Sequence, residues 1–263
     1  LMAEEKRFAV LIDIENIAPK YIELIMNESS SYGNITIKRA YGDWTRQSSS
    51  TWRGKLLDYS IIPMQQFNNT FGKNSSDSAL IIDAMNILYR NNVDGFILVS
   101  SDSDFTRLAA TLKEEGKVVV GMGESKTPVA LRNACDYFKV LDLLYKEANK
   151  AQSSKKNQRK KPAQKPKQKK DYDEDAAETT ESETMAEAST DLDTIERAII
   201  SIIEANGDED DGMYIGTLGN SLIRRYPDFD TRNYGASKLS KFLEQFDSLQ
   251  LTKDGDSTYV RLL

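Results

Sequence analysis

Three separated segments of this chain each carry an aspartate where an apolar run gives way to a turn or a helix. Asp13 follows Phe8–Ile12, within Leu-Ile-Asp-Ile-Glu-Asn. Asp102 and Asp104 follow Phe96–Val99, within Ser-Ser-Asp-Ser-Asp-Phe. Asp77 opens an amphipathic stretch, within Lys-Asn-Ser-Ser-Asp-Ser-Ala-Leu. Carboxylates gathered in one place repel each other unless cations neutralise them. An all-oxygen donor set favours Mg²⁺ or Mn²⁺. These ions lower the pKa of water and offset charge on phosphoryl oxygens. The composition leads the same way by exclusion. There is no histidine, so Ser–His–Asp and Cys–His nucleophiles and His-ligated zinc are absent. The single cysteine, Cys135, forms no internal disulfide and no cysteine-built zinc site.

Each acid also has a structural reading. Asp13 and Asn16 can cap the helix that follows them, and Asp77 and Asp104 can cap their own helices. Asp102 can serve as a turn residue. Asp83 and Glu15 read as structural or solvated. Helical geometry favours more for Asp77. At about 100° per residue, Leu80, Ile81, Ala84, Ile87 and Leu88 form one stripe, and Asp77 lies in line with it. An acid at the helix mouth on the buried face points to the end of a sheet, not to solvent.

The elements that must position these residues follow from the apolar pattern. Strands are expected at Phe8–Ile12, Ile35–Tyr41, Ser60–Met64, Phe96–Val99, Val118–Val120 and Tyr137–Val140. Helices are expected near Ala18–Met26, Ser48–Asp58, Asp77–Arg90, Phe105–Glu115 and Val129–Ala134. Strand alternating with helix implies an α/β fold, a parallel sheet with helices on both faces. Ligands then bind beyond the carboxyl ends of the strands. Residues 149–190 carry almost no large apolar side chains and read as a disordered, charged linker. Its basic block, Lys155–Lys170, precedes an acidic one, Asp171–Glu187, so the net charge of −6 says little about partners. Periodicity returns over 191–263. The domains are therefore expected at 1–148 and 191–263. With no run of roughly 18 apolar residues and no basic-then-apolar leader pattern, we expect no membrane partner and a cytoplasmic location.

The motifs taken together resemble the NYN domains, PIN-like nucleases, and the LabA-like bacterial branch in particular. The resemblance rests on Asp13-x-x-Asn16, on Gly72-Lys73 with Asp77-x-x-Leu80-x-x-Asp83-Ala84-Met85, and on Ser101-Asp102-Ser103-Asp104-Phe105 with Leu108 and Gly116-Lys117. Gly123-Glu-Ser-Lys126-Thr127-Pro128 and Ala134-Cys135-Asp136 extend it, over roughly residues 6–145. It implies a PIN-like Rossmannoid sheet and a metal-dependent ribonuclease. By resemblance Asp13, Asp77 and Asp102 are metal ligands, and Asp104 and Asn16 complete the catalytic set. Lys73, Lys126 and Thr127 are expected to contact RNA.

Beyond the linker, helices are expected at Ile195–Ile203, from Ile215 to a stop at Pro227, and from Asn233 to Leu243. Leu249–Thr252 and Thr258–Leu262 flank Asp254-Gly255, a hairpin turn signal. Helices followed by a hairpin make a small winged helix. Tyr234-Gly-x-x-Lys-Leu-x-x-Phe242 resembles the LOTUS, or OST-HTH, domain, which implies an RNA or protein partner. There Tyr234, Leu239, Phe242 and Leu243 are expected to pack inward, while Arg225, Lys238 and Lys241 are candidate phosphate contacts. Oligomeric state is not legible here. Two functions compete: a ribonuclease with an RNA-binding accessory domain, and a non-catalytic RNA- or protein-binding adaptor that keeps the fold. A phosphatase with an aspartyl nucleophile fits poorly, because Glu15 followed by Ile17 breaks the Asp-x-Asp pattern of that class.

Overall fold

The computed structural model describes residues 5–66, 75–158, 189–207, 212–255 and 257–263. They form two compact units: Leu1–Leu141 with Ile223–Asp228, and Asp142–Leu222 with Phe229–Leu263. The first is built on a sheet of β1 (Arg7–Asp13), β2 (Asn34–Gly42), β3 (Ile62–Gln65), β4 (Gly95–Val99), β5 (Val118–Gly123) and β6 (Tyr137–Val140). The order is β3-β2-β1-β4-β5-β6, and every pairing is parallel. Helices α1 (Ile22–Ser30), α2 (Ser50–Asp58), α3 (Ser75–Arg90), α4 (Thr106–Glu114) and α5 (Val129–Ala134) connect the strands. The α/β architecture is the expected one.

β1 and β4 form the centre, and from Phe8 to Ile12 and Gly95 to Val99 every side chain is buried. A strand covered on both faces reads as an unbroken apolar run, which is why these two were legible. β3 differs from expectation. Ser60 has a positive φ of 52°, so the chain is still turning there, and the strand starts two residues later at Ile62. It is also an edge strand with mostly exposed side chains, not a buried one. Pro63, which has no N–H to donate, is tolerated at such an edge.

The chain continues into α6 (Leu141–Gln158). The segment read as a disordered linker from 149 is therefore helical up to 158. Ala148, Lys150, Ala151 and Gln152 are good helix formers, so low apolar content did not prevent helix formation here. The rest of the expected linker, 159–188, lies outside the described residues, as do Lys73 and the acidic 208–211.

Residues 189–263 hold α7 (Leu192–Asn206), β7 (Met213–Tyr214), α8 (Ile215–Arg225), α9 (Leu239–Leu243), β8 (Leu249–Asp254) and β9 (Ser257–Leu262). Asp191 caps α7, accepting from the Thr194 N–H at 2.8 Å. β8 and β9 form the expected hairpin, with Gly255 in the left-handed turn at φ 56°. β7, too short to read in sequence, adds a third antiparallel strand. The helix expected from Asn233 is broken in two. A 3₁₀ turn spans Thr231–Tyr234, and Gly235 at φ 76° ends it before α9 begins. Phe229, Tyr234 and Phe246 pack around Phe242 with ring centroids 5.1 to 5.4 Å away. Among the described residues no helix is long and apolar enough to cross a membrane.

Candidate metal centre

Ile12 of β1 pairs with Val99 of β4, so Asp13 and Ser100 leave the sheet side by side. The strand order reverses at this junction: β2 and β3 lie on one side of β1, and β4, β5 and β6 on the other. A switch point of this kind opens a crevice beyond the carboxyl ends of the central strands.

Asp13 is only 1% exposed. Its carboxylate accepts from the Ser100 Oγ–H at 2.8 Å, the Asn16 amide at 2.8 Å and the Glu15 N–H at 3.0 Å. Burial raises its pKa above the ordinary carboxylate value, and these hydrogen bonds oppose the shift. Ser100 also accepts from the Asp102 N–H at 3.0 Å. One buried hydroxyl thus ties the end of β1 to the turn after β4. The Asn16 amide, open to a capping role from sequence, is turned back to Asp13 instead.

Asp102 caps the 3₁₀ turn Ser103–Phe105 by accepting from the Asp104 N–H at 3.0 Å. The cap that sequence left open for Asp104 therefore belongs to Asp102. Asp77 sits in the first turn of α3, 7% exposed, on the face carrying Leu80, Ala84, Ile87 and Leu88 into the core. Carboxylate oxygens of Asp77, Asp102 and Asp104 lie within 4.8 Å of one another. Burial, then the negative charges of Asp13, Asp102, Asp104 and Glu15, push the Asp77 carboxyl up to about 6. The leading charges on Asp77 are thus all of its own sign. A hard divalent cation is what this all-oxygen donor set fits.

Of the expected ligand set, the structure brings Asp77 and Asp102 together and adds Asp104. Asp13 falls outside that three-membered group and is held by its own hydrogen bonds. Three residues around the site carried no separate signal in the sequence. Besides Ser100, Ser76 is buried and donates to Glu15 at 3.2 Å, and Ser101 is buried and accepts from the Glu124 N–H at 2.9 Å. Small hydroxyl residues beside the acids are the only hint the sequence holds. Gly123 permits the close approach of the loop after β5. A Cβ there would stand 2.5 Å from the Thr127 hydroxyl and 2.7 Å from the Ser100 carbonyl.

The expected RNA contacts are placed unevenly. Lys126 is exposed and pairs with Glu124 at 3.0 Å. Thr127 is buried, its hydroxyl donating to the Glu124 carbonyl at 2.6 Å, and the Arg132 Nε–H donates to the Thr127 carbonyl at 2.9 Å. Thr127 is therefore an internal strut of this loop. Arg225, Lys238 and Lys241 are all exposed. Cys135 is buried, and its thiol is pushed up to about 12, which leaves it unreactive.

The NYN domain family matches residues 7–142, just over half of the chain. The chain belongs to the NYN family. NYN domains are PIN-like nucleases, and the acidic group at the sheet's carboxyl edge lies within the matched span. The OST-HTH/LOTUS domain matches residues 190–261, in the expected order. The NYN chain is similar to an uncharacterised protein of Methanocaldococcus jannaschii, at 30% identity over 160 residues. That match covers 59% of this chain and 63% of the relative, less than two thirds of its length. The chain is also similar to the crystal structure of a protein of unknown function from Vibrio parahaemolyticus RIMD 2210633. There the identity is 19% and the TM-score 0.45, covering 52% of this chain and 94% of that one.

Proposed function

We propose that this NYN protein is a divalent-metal-dependent ribonuclease, and that its OST-HTH/LOTUS domain is an RNA-binding accessory. The carrying observation is the convergence of the Asp77, Asp102 and Asp104 carboxylates within 4.8 Å of one another, with burial and neighbouring acids raising the Asp77 carboxyl. A fold that only scaffolds a partner has no use for that repulsion, which argues against the adaptor reading. Asp77, Asp102 and Asp104 would hold Mg²⁺ or Mn²⁺. Bound there, the ion supplies Lewis acidity toward a phosphodiester and its attacking water. Asp13 acts as a positioning residue, through Ser100, on the backbone that presents Asp102. Asn16 holds Asp13 in that orientation. Exposed Lys126, Arg225, Lys238 and Lys241 offer charge to backbone phosphates, which positions RNA without reading its sequence.

Labelled single-stranded and structured RNAs, incubated with Mg²⁺ or Mn²⁺ and with chelator, test this directly. The wild-type protein should cut only with metal, and Asp102→Asn should stay folded and bind RNA without cutting. RNA that is bound yet uncut by the wild type with either ion would establish the adaptor reading instead.

A further inference from the structure

We infer that the cavity walled by Trp44, Arg53, Leu56, Pro63 and Gln65 is a nucleobase subsite, seating one base of an RNA strand whose backbone passes the acidic cluster. The inference rests on the ribonuclease reading and adds to it where a base is held. The cavity measures about 300 Å³, at the small end of ligand sites and large enough for a single planar group.

Its position follows from strand register. Asp13 pairs with Tyr41, and Tyr41 pairs with Met64, so the three lie in one row across β1, β2 and β3. Neighbouring strands are about 4.8 Å apart, so the row from Asp13 to Met64 spans about 10 Å. Trp44 and Gln65 lie just beyond that row, on the same carboxyl edge as the acids. A strand laid along this edge reaches both places.

The loop carrying Trp44 is built in detail. The buried Asp43 carboxylate accepts from the Thr45 hydroxyl at 2.6 Å, the Thr45 N–H at 3.1 Å and the Gln65 amide at 3.1 Å. Gln65 returns a bond, its Oε1 accepting from the Trp44 N–H at 3.0 Å. The indole Nε1–H donates to the Met64 carbonyl at 3.2 Å, which fixes the orientation of the ring. Arg53 donates to the Trp44 carbonyl at 2.8 Å, which holds its guanidinium at the same wall. The result is a half-buried aromatic face and a planar cation, both oriented in advance. Bases stack on such groups whatever their sequence, because every base has a π-face. No lining residue is acidic, so the wall does not repel the polyanion that carries the base.

The chain has two tryptophans, and the second, Trp52, is 2% exposed in the core, so Trp44 is the indole open to contact quenching by a bound strand. The test titrates the full chain, in chelator so that nothing is cut, with a short single-stranded RNA and with an abasic oligonucleotide of equal length. RNA should quench the fluorescence and the abasic strand should not. Trp44→Phe should lose the quench and keep the affinity. Trp44→Ala should weaken binding about tenfold, the scale of one lost stacking contact. Arg53→Gln, a change at an exposed position, should weaken binding less and preserve the fold. Quenching that persists in Trp44→Phe, or a folded Trp44→Ala that binds RNA as tightly as wild type, overturns the subsite. If Trp44→Ala does not fold, the abasic strand and Trp44→Phe decide the matter. RNA that quenches Trp44 but remains uncut in Mn²⁺ overturns the ribonuclease reading alone. RNA cut by Trp44→Ala at the wild-type rate under subsaturating RNA overturns the subsite alone.

Discussion

At Asp77 a carboxyl is folded into a place where its charged form is disfavoured, which gives the site a testable pH signature. Its pKa is 3.8 when unconstrained and about 6 in the fold. Between those values the native state holds more protons than the unfolded state, so stability falls as pH rises through that window. The burial-raised Asp13 acts in the same direction. Without metal, the melting temperature should drop from pH 4 to pH 7, and Asp77→Asn should flatten the drop. A divalent ion competes with that proton, so Mn²⁺ should raise the melting temperature more at pH 7.5 than at pH 5. Equal Mn²⁺ stabilisation at both values would count against Asp77 as a ligand. Asp102 both belongs to the acidic group and caps the turn before α4, so Asp102→Asn is the informative substitution. Its amide oxygen can still accept the Asp104 N–H, and the charge alone is lost. Cleavage should fall by about a hundredfold or more with little change in melting temperature, read from single-turnover rates beside thermal unfolding.

α3 brings Asp77 to the sheet, and a second acid fastens α3 in place. Asp83, six residues on, accepts from the Arg39 guanidinium at 2.6 Å and from the Tyr41 hydroxyl, both on β2. Of the two readings the sequence leaves for Asp83, structural or solvated, the structure shows the structural one. The pair is less than a quarter exposed, so removing one partner leaves a poorly hydrated charge. Asp83→Ala should lower stability by about 2 kcal/mol in urea unfolding. It should also weaken Mn²⁺ binding, measured by calorimetry, because the helix that presents Asp77 loses its tether. Unchanged Mn²⁺ affinity in a destabilised protein would confine Asp83 to stability.

For the whole chain, the two matched domains predict a division of labour. All three grouped acids lie within 7–142, whereas the OST-HTH/LOTUS match begins at 190. Replacing the exposed Lys238 and Lys241 by Gln should raise KM on a structured RNA and leave kcat nearly intact, the pattern of lost remote binding. A fall in kcat alone would show that the C-terminal unit helps complete the active site. The basic block adds a separate term. Replacing Lys160, Lys161, Lys165, Lys167, Lys169 and Lys170 by Gln should flatten the salt dependence of RNA affinity, since each phosphate neutralised releases counterions. An unchanged slope would leave the block as a spacer.

The alternation of apolar runs was enough to read the parallel sheet, because β1 and β4 are buried on both faces and leave a continuous apolar record. It was weakest at edges. β3 began two residues late, β7 was not seen, and one C-terminal helix proved to be two pieces around Gly235, since local pattern does not report a left-handed turn. The acids were legible as types at fixed distances from strand ends, and Asp77 as a buried position in a helical stripe. Which of them meet was not legible. Side-chain direction at the end of a strand depends on the neighbouring turn, and Ser100 and Asn16 take up the Asp13 carboxylate while the Asp102 cap leaves Asp104 to join the group. The Trp44 wall was invisible for the same reason. Its members come from a loop, a helix and an edge strand, and strand register places Trp44 and Gln65 on the same edge as the acids.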